Sequence, residues 1–247
     1  MSTIGKTHPF VVVGLLMLTT VPLASGAFRV VELMGNAEIT AENARFIAAP
    51  IPVMTHIVSS LLFCVFGAFQ FSPRLRRSRP GWHLAGGRIA VPMGFAAALS
   101  GVWMTQFYPW AGYDGPALYV IRLVVGTAMV LSLVLAIVAI RRRDIPSHVS
   151  WMTRAYALGI GAGTQVFTHI PWFVFPGMQG ELARTVCMAA GWAINIGVAE
   201  WAILRMTQLP TKDQFGGQDF AAMGAITQEE PGTTRDGVES AKPLSIK

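Results

Sequence analysis

Four histidines and four charged side chains stand in stretches that are otherwise apolar: His56, His83, His148, His169, Arg88, Arg122, Arg154 and Glu200. An ionisable group inside a membrane span is costly, so each is a functional candidate by default. Two imidazoles facing one another across a helical bundle can supply both axial ligands of a haem b iron. His56 lies about two turns into its apolar segment, and His169 ends another segment at the same side. His83 and His148 open segments at the opposite side. Depth therefore pairs His56 with His169 and His83 with His148, one pair near each membrane face. Two haems held in this way would form an electron path across the bilayer. His148 and His169 stand 21 residues apart, about 31 Å of helix and close to six turns, so both point to one face. That distance also keeps the two haems far apart. Taken singly, each histidine has a plainer reading as an interfacial or hydrogen-bonding ring. His8 belongs to a polar leader and reads as solvated.

Arg88, Arg154 and Glu200 fall at a common depth, about 5–10 Å inside the face that carries His83 and His148. The first reading of a carboxylate among guanidiniums is a structural ion pair. The functional reading is a site for a headgroup, a propionate or a quinone carbonyl, with Glu200 able to move a proton. Arg122 stands near the other face and can snorkel outward.

The elements that must position these groups are helices. Only 13% of the 247 residues are charged, against roughly 25% in a soluble domain. About 20 apolar residues cross the hydrocarbon core, and six segments qualify: 9–28, 50–71, 84–107, 116–140, 149–170 and 182–204. The expected fold is an all-α integral membrane protein, a six-helix bundle. Arg74, Arg76, Arg77 and Arg79 lie in one loop and Arg141, Arg142 and Arg143 in another. Both loops must share a side, which the positive-inside rule makes cytoplasmic, with both termini. Tyr108, Trp110, Tyr113 and Trp172 fall in loops at the opposite interface. Residues 1–28 form the first helix, a signal-anchor unless cleaved after its small-residue end Pro22–Ala27. Residues 29–49 form an outer loop with a short helix around 41–48, and 50–206 the five-helix membrane core. The polar tail 207–247 is expected to be disordered in the cytoplasm. The formal charge of +6 follows the loop rule and excludes nucleic acid as a partner. Cys64 and Cys187 lie at different depths, which sets them too far apart for a disulfide.

Two small-residue patterns have competing readings. The run Ala157–Gly163 holds Gly159 and Gly163 at GxxxG spacing, and such faces usually pack helix on helix, although they also admit something bulky. His56, Ser60, Phe63, Gly67 and Gln70 form a stripe at helical spacing. It either orients His56 or lines a bundle interior.

The segment from Thr55 to about Ile170 resembles a family of predicted bacterial membrane proteins known as domain of unknown function 2306. The resemblance is carried by His56 with Phe66-Gly-Ala-Phe-Gln-Phe71, by His83-Leu-Ala-Gly-Gly-Arg88 and by His148-Val-Ser-Trp-Met-Thr-Arg-Ala-Tyr156. It implies an integral membrane protein and singles out His56, His83, Arg88, His148, Trp151, Met152, Arg154 and Tyr156. It brings no activity or cofactor, and His169 is not part of the pattern. The architecture is also similar to cytochromes of the b561 type, whose two haems take histidines from four different helices. Here the fifth span carries two of the four histidines and spans four and six carry none.

The expected function is thus membrane electron transfer through haem b ligated by His56, His83, His148 and His169, with Arg88, Arg154 and Glu200 in support. A quinone is a possible second cofactor, and a quinol or redox protein the partner. The main alternative is a cofactor-free accessory subunit or scaffold of a larger membrane complex. A transporter or lipid-binding protein is the third. No nucleophile motif, phosphate loop or metalloprotease signature points to a hydrolase. The expected location is the inner (plasma) membrane.

Overall fold

A computed structural model describes residues 9–35 and 37–207, and these are all-helical, without a strand among them. The tail expectation falls on 208–247, outside the described residues. Met1–Leu204 forms one compact unit, described below; of the second, Arg205–Lys247, only the end of the last helix is described.

The elements are α1 (Pro9–Met34), α2 (Ala44–Ala48), α3 (Pro50–Gln70), α4 (Pro73–Ser78), α5 (Pro80–Phe107), α6 (Pro116–Arg141), α7 (Ile145–Gly159), α8 (Gly161–Thr168), α9 (Ile170–Val174), a 3-10 turn (Pro176–Met178) and α10 (Glu181–Thr207). Proline opens α3, α4, α5 and α6, where its missing N–H would have had no partner. Ser72 and Asp144 cap α4 and α7 by accepting from the backbone N–H three residues on, at 3.2 and 3.1 Å.

Five helices, α1, α3, α5, α6 and α10, are long and apolar enough to cross a membrane. The segment expected as a further continuous span is broken into α7 and α8 at Ile160. The first helix also runs past Phe28 to Met34, because Arg29 and Glu32 pair along it and neutralise each other. Likewise α5 begins at Pro80, one turn earlier than the apolar run, so His83 lies within it.

α3 packs against α5, α6 against α5 and α7, and α1 against α3 and α8. Phe63, Leu133, Met129, Tyr156 and Leu158 fill the core, with Ala68, Ala90, Ala98 and Ala155 letting backbones approach. A side chain on Gly159 or Gly94 would meet the Phe63 ring, one on Gly67 the Tyr156 ring, and one on Gly163 the backbone of Leu18. The small-residue run therefore does pack helix on helix.

The break at Ile160 leaves carbonyls that a continuous helix would have used. Asn195 on α10 donates to the Ala157 carbonyl at 3.0 Å, and the Cys64 thiol lies 3.8 Å from that of Gly159. Thr164 donates to Asn195 at 2.6 Å, and Gln165 and Thr168 donate to the Met188 and Cys187 carbonyls at 3.1 and 2.7 Å. Interrupted helices persist at membrane depth only where the freed groups find such partners or line a cavity. Here the Ala157 and Gly159 carbonyls find such partners.

Candidate binding cavity

A cavity of about 670 Å³ lies between α1, α3, α5, α6, α8 and α10. Its floor is the helix break, where Leu158, Gly159 and Ile160 meet Phe63, Cys64 and Met129. Along α5 it reaches from Ala97 to Tyr108, about 16 Å of helix. The walls are mostly apolar, with Leu18, Leu23, Ile57, Leu61, Met104 and Val125 among them. The mouth is polar, and Arg29, Arg45, Asp114, Arg122, Trp110 and Tyr119 surround it. A long apolar chamber with a charged rim suits an amphipathic molecule.

His56 stands in the wall of this cavity. Its Nδ1 donates to the Ala97 carbonyl at 2.9 Å and lies 3.2 Å from the Ser100 hydroxyl. The bond that orients it therefore comes from α5 and not from its own stripe. Ser60 and Phe63 of that stripe line the cavity, while Gly67 and Gln70 pack against Tyr156 and Gly86. His169 does not line the cavity, and its Nδ1 donates to the Gln165 carbonyl of its own chain segment at 2.8 Å.

At the opposite end, the His148 Nδ1 donates to the Ala136 carbonyl at 2.9 Å. His83 lies within electrostatic reach of His148 and Arg76, and its buried Nδ1 has no hydrogen-bond partner. Among the described residues no three His, Cys, Asp or Glu side chains gather as a metal site; haem, with two protein ligands, needs no such group.

Of the charged residues singled out by sequence, Arg154 and Glu200 come together. Nε–Oε1 and Nη2–Oε2 distances of 2.6 and 2.8 Å make the pair bidentate. The Arg154 guanidinium also lies over the Trp151 ring, 4.6 Å from its centroid. Arg88 is not in this pair; its side chain is exposed. α5 presents Gly86 and Ala90 to the core, and Arg88 falls on another face of the helix.

Sequence reasoning missed most of the mouth. Asp114, with a side chain only 4% exposed, accepts from Arg122 at 2.6 and 3.3 Å and from Arg184 at 2.6 Å. Burial raises the Asp114 pKa, but the hydrogen bonds and charges of both arginines outweigh it and hold the carboxyl below its ordinary value. Arg45 donates from Nη1 to the Pro109 carbonyl at 3.2 Å, and its buried Nε has no partner. Burial lowers the Arg45 pKa; Asp114 opposes this, and Arg122, Arg184 and Arg29 add to the lowering. The guanidiniums of Arg29 and Arg45 lie 4.6 and 4.5 Å from the Phe46 ring centroid. Arg29 is itself paired with Glu32, which also accepts from Asn43 at 2.7 Å. A signal existed in the isolated Asp114 between two spans, but ordinary loop acids look the same.

The family model for a predicted membrane protein, domain of unknown function 2306, matches residues 53–203. The chain belongs to this family. The match takes in α3 to α10 almost to its end, so the cavity floor, His56, Asp114, the Arg154–Glu200 pair and the helix break are all within the family region. α1 and α2, which bring Arg29 and Arg45 to the mouth, precede it. No curated protein and no solved structure matches the chain.

Proposed function

We propose that this membrane protein binds an amphipathic, membrane-soluble molecule of the lipid or isoprenoid-quinone class in the cavity between its helices. One observation carries the reading: an apolar chamber about 16 Å long that ends at an interrupted helix and opens at a charged mouth. Broken spans whose irregular backbone lines a cavity are common places for membrane proteins to hold small molecules. In this reading α7 and α8 together make a sixth crossing, 24 residues from Ile145 to Thr168. By the positive-inside rule the arginine loops then face the cytoplasm and the cavity mouth faces the opposite side of the plasma membrane.

A second reading is haem b electron transfer, and the histidine tautomers favour it. His56, His148 and His169 each direct Nδ1 to a backbone carbonyl, which leaves Nε2 for a metal. This reading assigns His83 and His148 to one iron and His56 and His169 to another. Arg88, Arg154 and Glu200 keep their supporting place in this reading.

One preparation tests both. The full chain, purified in mild detergent, should release close to one equivalent of a long-chain amphiphile on solvent extraction, identified by mass spectrometry. Ala162→Phe, which projects a ring into the cavity, should lose it while eluting unchanged. Absence of any such molecule, with no thermal protection by added lipids or quinones, would overturn the binding reading. A Soret band with sharp reduced α and β bands, lost in His148→Ala, would establish haem. A colourless protein made with ample haem supply would remove it.

A further inference from the structure

The charges at the cavity mouth do not balance. Arg29, Arg45, Arg122 and Arg184 gather there; Arg29 engages Glu32, and Arg122 and Arg184 engage Asp114. Both carboxylates are already committed: Glu32 to Arg29 and Asn43, Asp114 to Arg122 and Arg184. Glu181 lies against Gly115 at the edge of the cluster, outside the cavity lining. Glu38 and Glu42 on the outer segment are exposed and form no ion pair with Arg45, so one guanidinium is still left over at the mouth. That surplus cation is Arg45, which makes no ion pair among the described residues. Its one hydrogen bond runs to a neutral carbonyl, and its Nε is buried without a partner. A buried donor left without a partner is costly, and more so on a charged group. An anion arriving at the mouth would answer that surplus charge.

The remaining polar groups fit the same role. Trp110 and Tyr119 line the mouth with rings 5.9 Å apart, and Tyr108 is held by donating to the Ala49 carbonyl at 2.5 Å. Amphipathic rings of this kind sit where an acyl chain meets its headgroup. Below them the wall is mostly apolar down to the helix break, with His56, Ser60 and Gln165 among its polar groups. Among the described residues that line the cavity, Asp114 is the one carboxylate, and two arginines neutralise it.

We infer that the cavity takes an amphiphile with an anionic head, a phosphate or a carboxylate, seated on Arg45 between Arg29 and Arg122, with its chain running past His56 to the break at Ile160. This rests on the binding reading above and narrows it. A neutral quinone would fill the chamber and leave Arg45 unanswered. The guanidinium is suited to the task because its planar fork can bind two oxygens of either anion at once.

The cavity contains its own reporters, since Trp110 and Trp192 both line it. Tryptophan fluorescence of the full chain in detergent is titrated with 9,10-dibromostearate and, separately, with its methyl ester. The two probes share a quenching, brominated chain and differ only in head charge. Saturable quenching is expected for the acid at concentrations at least about tenfold below those for the ester, the size of one charged hydrogen bond. Arg45→Gln should erase that preference by weakening the acid and sparing the ester, and Arg45→Lys should restore part of it. Should Arg45→Gln fail to fold, the acid-to-ester ratio of the wild type still decides.

Equal binding of acid and ester, both abolished by Ala162→Phe, would overturn the anionic head while leaving the cavity reading intact. Saturable quenching by neither probe would defeat the cavity reading itself. A final arm adds inorganic phosphate alone. If millimolar phosphate displaces the acid no better than sulfate or chloride of equal ionic strength, the head and chain bind as one molecule, as inferred. Displacement by phosphate at the acid's own concentration would reassign the mouth to a free anion and overturn the amphiphile.

Discussion

The two charged regions of this bundle differ in stoichiometry. Arg154 and Glu200 form one cation and one anion, bidentate, with the guanidinium further occupied by Trp151. At the other end, four arginines converge on two carboxylates beside an open chamber. A matched pair is complete in itself and needs nothing more from its surroundings. An unmatched cluster retains unspent binding capacity, and its location at the rim of a cavity makes that capacity available. Burial differs at the carboxylates: Asp114 is 4% exposed and Glu200 40%, whereas the arginines that hold them are alike, 26% for both Arg122 and Arg154. The cluster is therefore built around a buried carboxylate, and the pair around a partly exposed one.

The comparison has a direction in the membrane that reporter fusions can break outright. Fusions after Arg79 and after Arg143 should report cytoplasm, and one within 108–114 the opposite side. The result is all or none. A cytoplasmic signal from 108–114 would move the cavity mouth to the wrong face and discard the six-crossing assignment.

Asp114→Asn should have the largest effect on stability. It removes the carboxylate that neutralises Arg122 and Arg184 in a buried setting, where loss of one partner costs about 3–5 kcal/mol. Melting of the purified protein should show a large fall. The pH dependence follows from the sign of the shift. The Asp114 carboxyl titrates below its ordinary value of 3.8 in the fold, so its stabilisation is present above that range and disappears as pH falls through the lowered value. The gap between wild type and Asp114→Asn should therefore close on acidification. A gap constant down to the acid limit would show that the charge of Asp114 is not what matters.

Glu200→Ala should cost less, about 1–2 kcal/mol, because both partners are partly exposed and the freed Arg154 keeps Trp151 and can extend toward the interface. Removing Arg154 as well should recover part of the loss. If Glu200→Ala proved as damaging as Asp114→Asn, the distinction between a partly exposed carboxylate and a buried one would fall. Simple additivity of the two single changes would show that the pair does not act as one.

Much of this architecture could be read from the chain alone. Apolar runs long enough to span the bilayer, prolines at their starts and arginines between them follow from the cost of bare polar groups in hydrocarbon, and that cost acts locally, on composition. That Glu200 pairs with Arg88 or Arg154 was equally legible, since opposite charges at one depth have few other partners. Arg88 shows the limit of that logic: depth placed it with the pair, but rotation about α5 put it on another face, and rotation depends on what the helix packs against. The histidines illustrate it too. Depth alone paired His56 with His169, yet the packing gives His56 to the cavity wall and leaves His169 outside the lining.

The helix break lies further from local reach. Glycines at 159, 161 and 163 permit an interruption, but Asn195, 38 residues from the carbonyl it binds, and Cys64, 95 residues from its own, supply the partners that make it tolerable. The cavity mouth depends most on tertiary structure. Arg29, Arg45, Asp114, Arg122 and Arg184 come from α1, α2, a loop, α6 and α10, and no spacing in the sequence connects them. Composition and period determined that this chain crosses membranes as helices, because solvation acts on each segment separately. Which helix faces meet, and hence that one guanidinium is left over at the end of an apolar chamber, was decided only when all the segments packed together.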